Sequence, residues 1–290
     1  MSNLNNQGSV LNFPSGTFLF NQTITLPSNV ILHGQGAENT ILEFQINDFG
    51  HSILIQGDFT NDTTAIIQNA NRDSSFIMVL NSSNFSSGDW VRIIQQDDDM
   101  INDTWALNTV GQIIEISHVN NNVIYFSSSL RMDYLTSRGP YIKKIQPKNN
   151  VGIECLKLIR KDETTKHSSN IKYERAVNCW VSGIESEFCN FSHIDAEYSS
   201  NISISKSYIH HALDYGSGGK AYGVVFHFTT NECIVEDNIF EHLRHSMLVQ
   251  AGANANVFAY NYSFDPFWTG VSFIIPDNSA GELVLHGNWP

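Results

Sequence analysis

Ile194-Asp-Ala-Glu-Tyr-Ser-Ser-Asn-Ile-Ser-Ile204 is answered thirty residues later by Val224-Val-Phe-His-Phe-Thr-Thr-Asn-Glu-Cys-Ile234. Each stretch alternates toward an Asn, and a period of two marks a strand with one buried face. That Asn recurs at Asn150, Asn178, Asn201, Asn231 and Asn254, at intervals of 28, 23, 30 and 23 residues. Three places after it stand Ile153, Val181, Ile204, Ile234 and Val257; eight places after it stand Leu158, Ser186, Ile209, Ile239 and Tyr262. Three, five and seven places before it the inward set reads Tyr198, Ala196, Ile194, then Phe228, Phe226, Val224, then Ala251, Val249, Met247. Asn178 gives Arg175, Tyr173 and Ile171, with Arg175 the misfit. Repeats of about 20–30 residues that hold strands and no helix predict coils stacked in register, a parallel β-helix. Asn238 and Asn261, each seven places after an anchor, are expected to turn the chain and stack amide on amide.

Composition agrees with this reading. The 290 residues are 41% hydrophobic and 16% charged, with 19 Gly and 7 Pro. Such a chain is folded, and its short β-branched and aromatic runs make it all-β. A formal net charge of −13 with no basic stripe repels phosphate backbones, so no nucleic-acid partner is expected. No apolar run reaches the roughly 18–20 residues that span a bilayer, so no membrane partner is expected either. The opening MSNLNNQGS lacks the basic and apolar regions of a signal peptide. An extracellular or cell-surface protein whose leader is missing is the expectation. Cys155, Cys179, Cys189 and Cys233 show no metal-site spacing and read as small buried hydrophobes.

Phe13-Pro-Ser-Gly-Thr-Phe18, Ile24-Thr-Leu-Pro-Ser-Asn-Val-Ile-Leu-His-Gly-Gln-Gly36 and Thr40-Ile-Leu-Glu-Phe44 resemble the opening coils of pectate-lyase-like β-helix proteins. With the second half, the resemblance covers some two thirds of the chain. It implies a right-handed parallel β-helix and leaves the reaction open, since that scaffold carries many functions. Alginate and chondroitin lyases of this fold place a Lys on one coil and Arg-His-Gly on the next. Aligned on Asp237-Asn-Ile-Phe240, this chain has Thr229 and Gln250 there, so that site is not transferred. The paired Asp and Gly-His-Gly signatures of polygalacturonases are missing too.

The repeat breaks between residues 50 and 145. Phe85-Ser-Ser-Gly-Asp-Trp-Val-Arg-Ile-Ile94, Gly111-Gln-Ile-Ile-Glu-Ile116 and Asn122-Val-Ile-Tyr-Phe126 predict an antiparallel insertion. Residues 1–49 are then N-terminal coils and 146–290 further coils. Asp97-Asp98-Asp99 lacks the Gly and distal Glu of an EF-hand and reads as a solvated loop. The ending Glu282-Leu-Val-Leu-His-Gly-Asn-Trp-Pro290 resembles the start of another coil, with no polar cap, so a truncated solenoid is expected.

Residues between the inward ones face outward. Glu174, Glu197, His227 and Gln250 form one outward column, which His286 would continue; Lys172, Asp195, Val225 and Leu248 form the next. Strands about 4.8 Å apart make these a polar strip. Glu174 and Glu197 could act as the paired carboxylates of a retaining glycosidase. Alternatively Glu174, Asp195 and Glu197 hold Ca²⁺, which neutralises a uronate, and His227 takes the proton α to it, since histidine titrates near neutrality. Water alone also explains an outward polar strip. Longer turns bring Lys220, Tyr222, Arg244 and His245 as further catalytic candidates, while Glu197, Gln250, Lys172, His211 and Tyr215 would bind substrate. A solvated Gly-rich loop is the plain alternative. The expected function is a polysaccharide lyase acting on a uronate-containing chain. A hydrolase is one alternative; a non-catalytic glycan-binding or fibre-forming β-helix is the other.

Overall fold

The computed structural model describes residues 8–47, 50–101, 103–215, 219–267 and 283–285. Apart from two short 3-10 turns, Thr104–Ala106 and Thr136–Arg138, its regular structure is all strand. Three parallel sheets form the faces of a β-helix, and each coil contributes one strand to each face. On the third face Ile53, Ile171, Ile194, Val224 and Met247 pair in sequence, as do Ile55, Tyr173, Ala196, Phe226 and Val249. All ten are buried in one continuous apolar core. The two interior columns expected from the alternation are therefore present.

The corners explain the recurring Asn. Asn29, Asn150, Asn178 and Asn201 all have φ between 54° and 62°. Asn adopts this left-handed conformation more readily than most residues because its short amide bonds locally. Asn150 Nδ2 donates to Asn29 Oδ1 at 3.0 Å, and Asn201 Nδ2 to Asn178 Oδ1 at 3.3 Å. A second ladder forms where expected, with Asn238 Nδ2 donating to Asn261 Oδ1 at 3.0 Å. Arg175 is no misfit, because Arg175, Tyr198, Phe228 and Ala251 all sit at left-handed corners at the end of the third face.

The anchor fails at Asn231 and Asn254. The left-handed position passes to Glu232 and Ala255, so each of these corners has one extra residue. Ile204 consequently pairs with Val235, and Val235 with Phe258; Ile209 pairs with Phe240, and Phe240 with Ser263. A one-residue slip exchanges the two faces of a strand. Ile239, Val257 and Tyr262, read as inward, are exposed, and Val235 and Phe240 take the core.

The extra residues bind the antiparallel part. Asn231 Oδ1 accepts from Ile113 N at 2.7 Å, Asn231 Nδ2 donates to Ile113 O at 3.1 Å, and Asn254 Nδ2 donates to Gly111 O at 2.8 Å. At Gly252, with φ 76°, a Cβ would fall 2.2 Å from Thr109 O, so contact there requires glycine. Six antiparallel strands make up this part, from Asp58–Ala65 to Tyr141–Gln146, over their own core around Val91, Ile93, Ile114 and Ile124. The boundary at residue 50 needs correction: Ile53–Gln56 pairs in parallel with Ile171–Glu174, because Ile53 and Ile55 point into the solenoid. Among the described residues no helix is long and apolar enough to cross a membrane. The four cysteines are free; Cys179, Cys189 and Cys233 are buried, and burial pushes the Cys179 and Cys233 thiols up to about 12.

Candidate functional site

The outward columns of the third face assemble as expected. Glu174 pairs with Glu197 and Glu197 with His227, while Lys172 pairs with Asp195. Lys172 Nζ lies 2.9 Å from Asp195 Oδ2 and 3.0 Å from Glu197 Oε1. His227 Nε2 lies 2.8 Å from Asp195 Oδ1, within ion-pair distance though not aligned as a hydrogen bond, and 3.7 Å from Glu197 Oε2. Lys172, Asp195 and His227 are buried, and Glu197 is half-buried.

Burial and charge oppose each other here. Burial pulls the Lys172 ammonium down, but Asp195 and then Glu197 outweigh it and hold it above its ordinary value. Burial pushes the Asp195 carboxyl up, but Lys172 and His227 outweigh it and hold it well below the carboxylate range. His51, one coil before, is brought down to about 4 by burial and then by Lys172, and its Nδ1 accepts from Ser169 N at 3.0 Å.

Glu174 departs from its expected role. Its carboxylate takes Gln56 Nε2 and Arg175 Nη2, while Glu197 turns to Lys172. The two glutamates are thus held by different partners. Ca²⁺ at Glu174, Asp195 and Glu197 would have to displace Lys172.

Beside this cluster lies a pocket of about 450 Å³. His227, Gln250 and Tyr222 line it from the third face, with Phe191 and Phe228. His167 and Gly219 close one side; Asp103 and Trp105, from the antiparallel part, close another. His167 stacks on Phe191 at 4.5 Å, and burial lowers its pKa. Of the residues singled out from sequence, His227, Gln250 and Tyr222 reach the pocket. Lys172, Asp195 and Glu197 gather around His227.

The others lie elsewhere. Lys220 is paired with Asp214. Arg244 and His245 are 2% and 0% exposed, and the His245 ring stacks on Tyr222 at 5.1 Å. His211 packs on His242, and Tyr215 Oη donates to His242 O at 2.9 Å. None of these five lines the pocket, and His245, expected on a turn, is the first residue of the third-face strand His245–Val249, paired with Tyr222. His286 lies outside the described residues. Sequence reasoning missed Asp103, Trp105, Phe191, Phe228 and His167. Phe228, expected inward from the alternation, instead takes the left-handed corner after His227 and so lines the pocket. Asp97, read as a solvated loop residue, is buried and accepts backbone N–H groups from Asn108, Thr109 and Val110 at 2.7–2.9 Å.

No protein-family model and no curated protein matches the sequence. Solved structures do match in fold. The tailspike protein gp49 from Pseudomonas phage LKA1 is 15% identical, with a TM-score of 0.61 over 96% of this chain and 54% of that one. The Pseudomonas phage phi297 tailspike gp61 is 12% identical, with a TM-score of 0.68 over 91% and 43%. The Gp54 tailspike of Acinetobacter baumannii bacteriophage AP22, solved in complex with A. baumannii capsular saccharide, is 14% identical, with a TM-score of 0.51 over 88% and 53%. This chain therefore spans about half the length of these tailspikes. At such identities the likeness establishes the parallel β-helix and nothing finer.

Proposed function

We propose that this chain binds a polysaccharide at the pocket over the third face and cleaves it there. The observation that carries the reading is the pocket itself: aromatic rings from Trp105, Phe191, Tyr222 and Phe228 stand around the polar groups of His227, Gln250 and Asp103. Apolar walls with a few convergent polar groups are what small-molecule sites offer, and sugar rings present apolar faces to aromatics and hydroxyls to the rest. The saccharide-bound tailspike of the same fold supports a glycan ligand and a place outside the cell, on a cell or particle surface.

For the reaction, β-elimination from an acidic polysaccharide has the support of His227. Its Nε2 lies 2.8 Å from Asp195 Oδ1, and in this reading Nδ1 is the nitrogen that accepts the proton. In that step the base removes the proton α to the uronate carboxylate, the electron pair forms a C–C double bond, and the glycosidic oxygen leaves as a hydroxyl, taking its proton from solvent. Hydrolysis by Glu174 and Glu197 has weaker support, because the two are engaged by different partners. Binding without cleavage is the second reading. It is favoured by the cations: Lys172 and Lys220 are each committed to carboxylates, and neither they nor Arg244 lines the pocket.

The test is incubation of the full chain with a panel of capsular and plant polysaccharides, following ultraviolet absorbance of unsaturated ends, reducing ends and binding. Absorbance that rises on an acidic polymer and vanishes in His227→Ala is the expected result. Reducing ends without absorbance would mean hydrolysis, and binding without either the second reading. No binding to any glycan would overturn the proposal.

A further inference from the structure

Trp105 belongs to the antiparallel part, yet it stands at the mouth of a pocket built on the solenoid. The residue is 50% exposed, although its ring already has a packing partner. That partner is Phe228, the residue after His227, met edge to face at 5.9 Å between centroids. The segment carrying Trp105 is firmly held. Asp97 accepts three backbone N–H groups just beyond it. The buried Arg92 donates to Asn108 O, bonds Thr229 Oγ1 at 3.1 Å, and lies 4.7 Å from the centroid of the Tyr198 ring. Ala106, next to Trp105, packs with Ile101, Val110 and Ala251. A wide apolar ring on an anchored segment thus packs on Phe228 in the pocket that His227 lines, and is left half open to water.

Charge narrows what such a ring would meet. Among the described residues the pocket lining holds one carboxylate, Asp103, and no lysine or arginine. Asp103 stands two residues from Trp105, so a uronate at this end would meet a carboxylate with no lysine or arginine on the lining to offset it.

We infer that Trp105 is the stacking platform of a subsite for an uncharged sugar ring, next to the reacting sugar at His227. The inference rests on the glycan reading above and extends it: the polymer has neutral and acidic residues in one chain, and the antiparallel part, not the solenoid, selects the neutral one.

Affinities of the full chain are measured by calorimetry for neutral oligosaccharides, for oligouronates, and for mixed oligomers such as those of hyaluronan, chondroitin and xanthan. Mixed or neutral oligomers are expected to bind more tightly than pure oligouronates. Trp105→Ala should weaken them by about tenfold or more, the loss of one well-buried apolar contact, and Trp105→Phe should restore most of it. Thermal unfolding of both variants should match the wild type, because the ring is half exposed. Unchanged affinity in Trp105→Ala, or tightest binding of pure oligouronates, would overturn the subsite while leaving glycan binding standing. If the wild type bound no oligomer of the three classes, both would fall together.

Discussion

Two faces of the solenoid carry almost the same set of side chains. On the third face Lys172 bridges Asp195 and Glu197, and His227 follows on the next coil. On the second face Lys157 bridges Glu185 and Glu187 at 2.6 Å each, and His210 follows, 3.2 Å from Glu185. The repeat makes both in the same way, by stacking strands in register. The surroundings separate them. The third face is walled by His167, Phe191 and the Trp105 turn, so Lys172 and Asp195 are buried, whereas Lys157 and its acids stay half-buried. Glu185, Glu187 and His210 even lie close enough to suit a metal ion, but Lys157 already fills the space between the acids. A constellation of charges is common on a β-helix; a concavity over it is what makes a candidate site.

The comparison is broken most directly at its two lysines. Removing one partner of a buried ion pair leaves a charge without compensation, at a cost of roughly 3–5 kcal/mol. Lys172→Met should therefore lower the free energy of unfolding in urea by about that much. If it proved neutral, the cluster would be solvated and the two faces equivalent. Next in size comes catalysis. His227→Ala should reduce glycan cleavage by at least about a hundredfold if His227 is the base, and His210→Ala should leave the rate unchanged. Equal losses in both would remove the distinction drawn from the pocket.

The third face was legible in the sequence because its alternation survives on every coil from Ile171 to Val249 and nothing is inserted within its strands. Lys172, Asp195, Glu197 and His227 could be brought together from spacing alone. The first two faces were misread beyond Asn201 because Asn is an imperfect marker. The residue type persisted at Asn231 and Asn254 while the left-handed bend moved on to Glu232 and Ala255. Those asparagines hold the antiparallel part instead. The pocket walls were illegible for a related reason. Trp105 and Asp103 reach the pocket that His227 lines across a separation in sequence that no repeat encodes, and the Trp105–Phe228 contact exists only once both parts are folded.

A smaller effect follows from pH. His51 and His193 are depressed to about 4 and about 3, mainly by burial, so the folded state resists protonation that the unfolded chain accepts near 6.5. The unfolded state then binds more protons, and stability falls as pH drops from 6.5 to about 4 for His51, levelling below. Asp195 adds to this only further down, where its depressed carboxyl is finally protonated, and the raised Lys172 contributes a loss only in alkali. The acid limb should shrink in His51→Gln when unfolding is measured between pH 4 and 7. An unchanged limb would assign the loss to other groups.

The smallest effect expected is the most informative about what the faces share. Lys157 is drawn down by its partial burial, but its ion pairs with Glu185 and then Glu187 raise it overall. Ion pairs that water still reaches, as at this half-buried site, typically contribute less than about 1 kcal/mol, because water screens the attraction and ordering the side chains costs entropy. Lys157→Met should accordingly change stability by less than about 1 kcal/mol, measured beside Lys172→Met in one urea series. It should also leave glycan affinity and cleavage at wild-type values, since no residue of the second-face cluster lines the pocket. The outcome that counts against this account is a large loss in Lys157→Met. Glu185 and Glu187, left uncompensated two residues apart on one face of a strand, would then be destabilising the stack, and the second face would depend on its lysine as the third does.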